Sequence, residues 1–329
     1  NTERYHCVVI YLNSISMKNT MLVLLTFFLA TAFVSDDNKS LTEKNYMIYS
    51  NQTNSEITLD NLVTLTEQYD VILFGEEHND SVAHFLQFAL YEKMHVKFGD
   101  SVVLSMEMFD RDVQNVLSEY MNSMIKESHF KKDARAWSKY RDYRPLVEYA
   151  KKNKLEVYAA NAPMRYVSLT NKKGQAELLK LSPLAKTWIA PLPFDTAQGA
   201  YYAKLREIIG YNMKAAGKHG GDSVVVVPNG MPGSLSGQSL WDATMAYTIS
   251  TVFNTKPAAK VLHLNGRFHS DDFFAVYQQL QKYAPTKKVL VISTMTDEKF
   301  RKADMTQYKN QAHIIILSDP KVPKTYKDQ

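Results

Sequence analysis

Short apolar runs that alternate with helix-length amphipathic segments dominate the pattern of the chain. Seven runs, mostly rich in β-branched residues, are predicted strands: 71–75, 102–108, 156–161, 223–228, 260–266, 288–293 and 313–317. Between several of them apolar residues recur at spacings of three and four, as at Val82, Phe85, Leu86, Ala89 and Leu90, which predicts helices. This alternation is typical of a largely parallel sheet that is covered on both faces. The predicted fold class is therefore α/β, with a largely parallel central sheet flanked by helices.

One stretch, 164–220, breaks this alternation because it has little strand character. Pro183, Pro191 and Pro193 interrupt it, and residues 201–218 have a helical pattern. We therefore predict a small helical insertion domain at 164–220, set between two parts of the sheet domain at 45–163 and 221–319. The length of 329 residues fits one large domain with an insertion.

Residues 1–32 are expected to lie outside the fold. Met17 and Lys18 begin a short positive segment, and residues 21–33 form an apolar stretch. That stretch is shorter than the roughly 20 residues that a membrane-spanning helix needs. Ala30-Thr31-Ala32 matches the small-x-small pattern of a signal peptidase site. The pattern predicts a secretory signal peptide that starts at Met17, with residues 1–16 as an upstream extension, and a mature protein that is soluble in the periplasm or another extracytoplasmic compartment.

Composition narrows the possible chemistry. Cys7 is the only cysteine and precedes the predicted start, so the mature chain would have no disulfide, no thiolate metal site and no lipid-attachment cysteine. The net charge of +5 comes from 39 basic and 34 acidic residues spread along the chain, which gives nucleic-acid binding no support. The glycine signatures of nucleotide binding and of the serine nucleophile elbow do not occur.

The first candidate site follows the first predicted strand. Gly75 permits a tight turn, and Asp80 or Ser81 can cap the next helix, which leaves Glu76 and His78 at the strand end. On that helix His84 and Gln87 share one face. A carboxylate beside imidazoles can bind a metal, transfer protons or hold a ligand carboxylate, whereas an acidic helix N-terminus with an exposed histidine is the structural alternative.

A second candidate is Glu107, which lies inside an otherwise apolar strand. A buried carboxylate must be paired or protonated. Arg111 is the local candidate partner, with His78 as a candidate from the neighbouring strand, and a purely structural Glu–Arg pair is an equal alternative.

Aromatic and basic residues supply further candidates. Pro145 predicts a helix start, with Tyr140, Tyr143 and Arg144 just before it as either a ligand wall or packing against the sheet edge. After the fifth run, His269 lies past a glycine turn, where it could face His78 across the strand ends. His263 points into the strand and is interpreted as a core histidine. Tyr201 and Tyr202 in the insertion are noted because a phenolate can ligate ferric haem iron.

Six of these segments, in this order, resemble the ChaN-like haem-binding uptake family, within the superfamily that includes the Tiki/TraB proteins and erythromycin esterases. The resemblance runs from about residue 69 to residue 292. It rests on Gly75-Glu76-x-His78 with His84 and Gln87, Glu107-Met-Phe-Asp-Arg111 with Gln114, Tyr140-Arg-Asp-Tyr-Arg-Pro145 with Glu148, Ala160-Asn161-Ala-Pro163 with Arg165, Gln238-Ser-Leu-Trp241-Asp242 with Met245 and Ala246, and Asn265-Gly-x-x-His269.

The resemblance implies an envelope protein that binds haem through a tyrosine, between two protomers of a homodimer, and works with an outer-membrane haem or iron transport system. It carries Glu76, His78 and His269 over as pocket residues. Together with the candidates above, the expected haem-binding residues are Glu76, His78, His84, Glu107, Arg111, Tyr140, Arg144, Tyr201, Tyr202 and His269. The lipoprotein cysteine of many relatives is absent here. The alternative is a metal-dependent hydrolase of the Tiki or esterase type, in which Glu76, His78, Glu107 and His269 hold a divalent metal or activate water.

Overall fold

A single sheet of eight strands forms the centre of the fold. The structure is a computed structural model that describes residues 41–216 and 232–327, with side chains for 41–207 and 236–327. The strands are β1 (Tyr46–Ser50), β2 (Ser55–Ile57), β3 (Val71–Glu76), β4 (Val102–Asp110), β5 (Glu156–Asn161), β6 (Lys260–Gly266), β7 (Val289–Thr296) and β8 (Ile314–Ser318). Their spatial order is β2-β1-β8-β7-β3-β6-β4-β5.

The helices lie between the strands along the chain, as the sequence predicted. In the described residues they are α1 (Leu59–Leu65), α2 (Ser81–Phe98), α3 (Gln114–Met121), α4 (Glu127–Asp133), α5 (Tyr140–Asn153), α6 (Met164–Lys173), α7 (Pro183–Lys186), α8 (Gly199–Ala216), α9 (Pro232–Thr255) and α10 (Val276–Tyr283). The remaining short helical segments, such as those after β4 and β6, are 3-10 turns.

The predicted α/β fold with a largely parallel sheet is confirmed. Strands β3 to β8 pair in parallel, and six of the seven predicted strands are found. The run at 223–228, like the predicted upstream extension and signal peptide at 1–32, lies outside the described residues. Strands β1 and β2 were not predicted; they add an antiparallel edge through pairing of β1 with β8. That pairing joins residues far apart in the chain, and strands this short carry little periodic signal.

The core lies on both faces of the sheet because the central strands are buried on both sides. On one face, alternate residues such as Val71, Val261 and Val291 pack against Ile249 and Val252 of α9, in a cluster that also includes α10. The other face is covered by α2, which contacts β4 and β6. Burial on both faces explains why these strands read as continuous apolar runs.

Residues 164–216 contain helices and no strand, in the range predicted as an insertion. Apolar residues of this segment, including Tyr166, Leu178 and Ile189, pack in one cluster with Leu240 and Ala243 of α9. The helical segment is therefore joined to the sheet domain through α9. The exact boundaries of an insertion domain stay a prediction.

The register of the central strands determines where the candidate site lies. Parallel pairing of β3 with β6 sets Glu76 opposite Gly266, and β6 lies between β3 and β4. The carboxyl ends of these three strands therefore meet at one edge, which is where ligands bind in open α/β sheets.

Candidate functional site

The turn after β3 is shaped by a close approach of two backbones. A Cβ at Gly75 would lie 2.8 Å from the Cα of Arg267 and 2.9 Å from Oγ of Ser270, so no side chain fits there. Asp80 caps α2 by accepting hydrogen bonds from the backbone N–H groups of Val82 and Ala83. The predicted turn and cap are thus both present, and they fix the short segment that carries Glu76 and His78.

Glu76 is the centre of the first half of the site. Its side chain is fully buried, and its Oε1 accepts hydrogen bonds from the Tyr143 hydroxyl (2.5 Å) and from Nδ1 of His78 (2.8 Å). Its Oε2 accepts one from Nε2 of Gln87 (2.6 Å) and lies 3.3 Å from Nε2 of His84. We call Glu76, His78, His84, Gln87 and Tyr143 the Glu76 cluster.

The neighbours of Glu76 stabilise its ionised form. Burial alone would raise the pKa of this carboxyl, but hydrogen bonds and charge interactions with His78 and His84 outweigh burial and lower the pKa to about 2. An ionised Glu76 only accepts hydrogen bonds, so Nδ1 of His78 carries the proton in that contact. The imidazole of His78, whose side chain is 36% exposed, is therefore oriented by a buried carboxylate.

The second half of the site joins β4, β6 and α9. Oε2 of Glu107 accepts a hydrogen bond from the backbone N–H of Gly266 (2.7 Å), and Oε1 lies 3.5 Å from Nε2 of His269. Nδ1 of His269 lies 2.6 Å from Oδ1 of Asp242, whose Oδ2 accepts a hydrogen bond from the Tyr201 hydroxyl (2.5 Å). We call Glu107, His269, Asp242 and Tyr201 the His269 cluster.

Electrostatics in the His269 cluster favour a protonated imidazole. Burial lowers the pKa of His269, but Glu107 and Asp242 outweigh burial and the net pKa is raised. Burial, reinforced by the neighbouring charge of Asp242, strongly raises the pKa of the Tyr201 phenol. The arrangement therefore holds a shared proton between His269 and Asp242 and keeps Tyr201 as a neutral phenol.

The two clusters meet at Gly266. A Cβ on this residue would lie 2.9 Å from Nε2 of His78 and 3.8 Å from Oε2 of Glu107. Both side chains therefore lie close to the backbone of this glycine. Aromatic rings flank the two imidazoles: Trp137 lies edge-on to His78 (5.2 Å between ring centroids), and Trp241 and Phe268 lie 6.4 and 6.3 Å from His269. Paired carboxylates and imidazoles with aromatic neighbours can hold an anionic group of an apolar ligand or transfer protons.

Sequence analysis placed Glu76, His78, His84, Glu107 and His269 in one site, and the structure brings all five together. Tyr201 also reaches the site, through Asp242. The interpretation of His263 as a core residue also agrees with the structure. It is fully buried beside Ser105 Oγ, and burial lowers its pKa to about 3.

Arg111, one of the two candidate partners of Glu107, does not pair with it. The guanidinium of Arg111 instead donates to Oγ1 of Thr248 and to the backbone carbonyl of Thr187. The chain turns away from the strand after Asp110, so Arg111 leaves the strand edge at which Glu107 and Gly266 meet.

Tyr140 and Arg144 also lie outside the two clusters. Tyr140 packs against Phe109 and Phe130 in the core, and Arg144 pairs with Glu127 at the surface. The predicted helix start at Pro145 is wrong, because α5 already begins at Tyr140, where burial of Tyr140 and Tyr143 stabilises the first turn. Tyr202 is 40% exposed, on a side of α8 that does not contact Asp242.

The sequence did not single out two members of the site, Tyr143 and Asp242. Tyr143 was named only with Tyr140 and Arg144 as a ligand wall or packing, and Asp242 only within a motif of the resemblance. Asp242 carried a signal, since it is a lone carboxylate in a segment of α9 that is otherwise apolar from Leu240 to Ile249, apart from hydroxyls. Tyr143 carried none that set it apart from Tyr140, because both tyrosines are buried on the same helix.

Comparison with known proteins identifies the family of this chain. The family model described as "Haem-binding uptake, Tiki superfamily, ChaN" matches residues 62–280, well over half of the chain. The chain belongs to this ChaN family. The match spans every residue of the Glu76 and His269 clusters, and it confirms the resemblance seen in the sequence. A search of curated proteins gave no significant match.

One solved structure supports the same fold. ChaN of Campylobacter jejuni, described with cofacial haem binding, superimposes with a TM-score of 0.64 at 17% identity and covers 85% of this chain and 100% of its own. A succinoglycan biosynthesis protein (TM-score 0.48, 13% identity, 82% of this chain and 92% of its own) and an erythromycin esterase (0.43, 12%, 78% and 77%) are more distant. At 17% identity the ChaN structure shows the fold alone.

Membership of a haem-binding family favours haem over the alternative of a metal-dependent hydrolase. Among the side chains described, those of residues 41–207 and 236–327, no three His, Asp or Glu residues are grouped as ligands for one metal ion. In the same part of the chain, no helix combines the length and apolarity needed to cross a bilayer.

Proposed function

We propose that this protein is exported, binds haem beside the Glu76 and His269 clusters, and serves haem or iron acquisition. The observation that carries the proposal is the family match over residues 62–280, which encloses both clusters. Export rests on the signal peptide predicted at 17–32. A homodimer and an outer-membrane transport partner belong to the same proposal, and their support is the sequence resemblance.

The residues present fit a haem. The macrocycle needs apolar walls, its propionates need cationic or N–H partners, and ferric iron accepts a phenolate. Trp137 and Phe268 supply aromatic surface beside the imidazoles of His78 and His269. The His78 imidazole, held by Glu76, is placed to bind a propionate.

Tyr201 does not fit as the iron ligand. Its hydroxyl is buried and donates to Asp242, and its raised pKa disfavours the phenolate form. Tyr202 fits better, because its ring is 40% exposed and the guanidinium of Arg206 lies 5.8 Å from the ring centroid. The guanidinium of Arg206 also offers a second propionate partner beside this ring. We therefore assign Tyr202 as the iron ligand and Tyr201 as a residue that positions Asp242.

Titration of the purified chain with hemin tests the proposal. We expect a saturable Soret band with a tyrosinate charge-transfer band. Tyr202→Phe removes the charge-transfer band, whereas His78→Ala weakens binding and keeps that band. Tyr49→Phe is the matched control, because Tyr49 is a part-exposed tyrosine on β1.

Two results would contradict the proposal. A chain that gives no saturable Soret change with hemin does not bind haem. A charge-transfer band that survives Tyr202→Phe assigns the iron ligand to another residue.

A further inference from the structure

Arg111 carries a charge that the rest of the described structure does not balance. Among residues 41–207 and 236–327 its guanidinium makes two hydrogen bonds, to Thr248 Oγ1 (2.6 Å) and to the carbonyl of Thr187 (3.1 Å), and no ion pair. It also lies 5.3 Å from the ring of Tyr247. Both hydrogen-bond partners are neutral, and the guanidinium cannot give up its proton at physiological pH.

The nearby carboxylates are already used. Asp112 pairs with Arg135 through one oxygen and with Arg165 through the other (2.6 Å), and Asp110 pairs with Arg135 (3.0 Å). The local set thus holds three guanidinium groups and two carboxylates, and the surplus positive charge lies on Arg111. Burial without an acidic partner lowers the pKa of Arg111, which is the sign of a cation that lacks a counter-charge.

This cation lines a cavity of about 280 Å³ at the β5 edge of the sheet. The walls combine aromatic surface with polar groups: Tyr158, Trp188, Gln114, Asn115 and Thr251 lie beside Arg111. Asp112 also lines the cavity, but both of its oxygens are paired with Arg135 and Arg165. The size suits a ligand far smaller than haem. A guanidinium presents five N–H donors in a planar fork that matches a carboxylate or a phosphate, and the two hydrogen bonds above leave donors for such a ligand.

The cavity is separate from the two clusters described above. Thr248 lies six residues beyond Asp242 on α9, close to two helical turns further along the helix. The lining residues of the cavity include no member of the Glu76 or His269 cluster.

We propose that Arg111 anchors a second binding site, which takes a small oxyanion ligand, a carboxylate or a phosphate, with its body against Tyr158 and Trp188. A bound anion supplies the counter-charge that the described protein residues do not. The ligand also links β4, the segment around Thr187 and α9, so it stabilises the contact of the helical segment 164–216 with the sheet.

Calorimetric titration of the full chain with succinate and, separately, with inorganic phosphate tests the site, against chloride at matched ionic strength. We expect saturable binding of at least one probe. Succinate binding alone identifies a carboxylate ligand, and phosphate binding alone identifies a phosphate ligand. Arg111→Met should remove the binding. Asn115→Asp, at an exposed position on the cavity wall, places a competing carboxylate there and should raise the Kd at least about tenfold.

Asn115→Asp keeps the test decisive if Arg111→Met fails to fold. Asn54→Asp is its matched control, since Asn54 is exposed on the turn between β1 and β2 and should leave Kd unchanged. Binding of neither probe above the chloride reference overturns the proposal, as does an unchanged Kd in Asn115→Asp. Hemin binding should be the same in Asn115→Asp as in the natural chain, and its loss together with oxyanion binding would refute a separate site.

Discussion

Glu76→Gln keeps the size of the side chain and removes the charge at the centre of the site. Each hydrogen bond of the carboxylate comes from a donor: the Tyr143 hydroxyl and Nδ1 of His78 on one oxygen, and Nε2 of Gln87 on the other. An amide has only one oxygen, so its NH2 group must face a donor on one side. The substitution therefore removes an ionic interaction and leaves a buried donor without an acceptor.

The pKa of Glu76 gives the size of the effect. Its lowering from 4.5 to about 2 corresponds to about 3 kcal/mol in favour of the folded state at neutral pH. The side chain is fully buried, so solvent does not screen this term. Removal of one partner from a buried ion pair costs about 3–5 kcal/mol in other proteins, which agrees in size. We expect Glu76→Gln to lower the free energy of unfolding by about 3 kcal/mol.

The pH dependence gives this prediction a second signature. Because the pKa of Glu76 is lower in the folded than in the unfolded state, its contribution is complete above pH of about 4.5 and is lost as the pH falls towards about 2. The stability gap between the natural chain and Glu76→Gln should therefore be largest near neutral pH and shrink in acid.

Urea unfolding, followed by circular dichroism near pH 7 and again at about pH 3, measures both signatures. Glu127→Gln is the control, because Glu127 pairs with Arg144 at the surface and its loss should cost less than about 1 kcal/mol. Equal stability of Glu76→Gln and the natural chain near pH 7 would refute the reasoning. A gap that stays constant into acid would refute its electrostatic part.

Further predictions concern the two glycines of the strand ends and the His269 cluster. Gly75→Ala should lower the free energy of unfolding by about 1–3 kcal/mol, because the new Cβ meets backbone at 2.8 Å, and urea midpoints check this. Gly266→Ala should cost less stability but weaken hemin binding, because the Cβ meets only the movable imidazole of His78 at 2.9 Å; equal hemin affinity would contradict this. Asp242→Asn should lower the pKa of His269, as measured by NMR titration. The raised pKa of His269 means that its protonated form stabilises the fold below pH of about 6.5, and this contribution is lost as the pH rises through the folded pKa. The variant should therefore lose less stability than the natural chain as the pH rises above about 6.5, and an identical pH profile would count against the pairing.

The sequence by itself determined the parallel sheet and the place of the site. Strands such as β3 and β6 are buried on both faces, so their apolar runs are continuous and visible without a structure. Glu76, His78 and His269 stand out because polar residues directly follow these runs, and carboxyl ends of parallel strands collect at one edge.

Only the tertiary structure decided which polar groups meet. Arg111 is four residues from Glu107, yet the turn after β4 places its guanidinium against Thr248. The partners of Glu107 are instead Gly266 and His269, which are more than 150 residues away in the chain. The edge formed by β1 with β8 and the role of Asp242 depend in the same way on contacts between distant segments. Local periodicity reports the burial of a residue but not its partner, because the partner is set by strand order, register and helix packing.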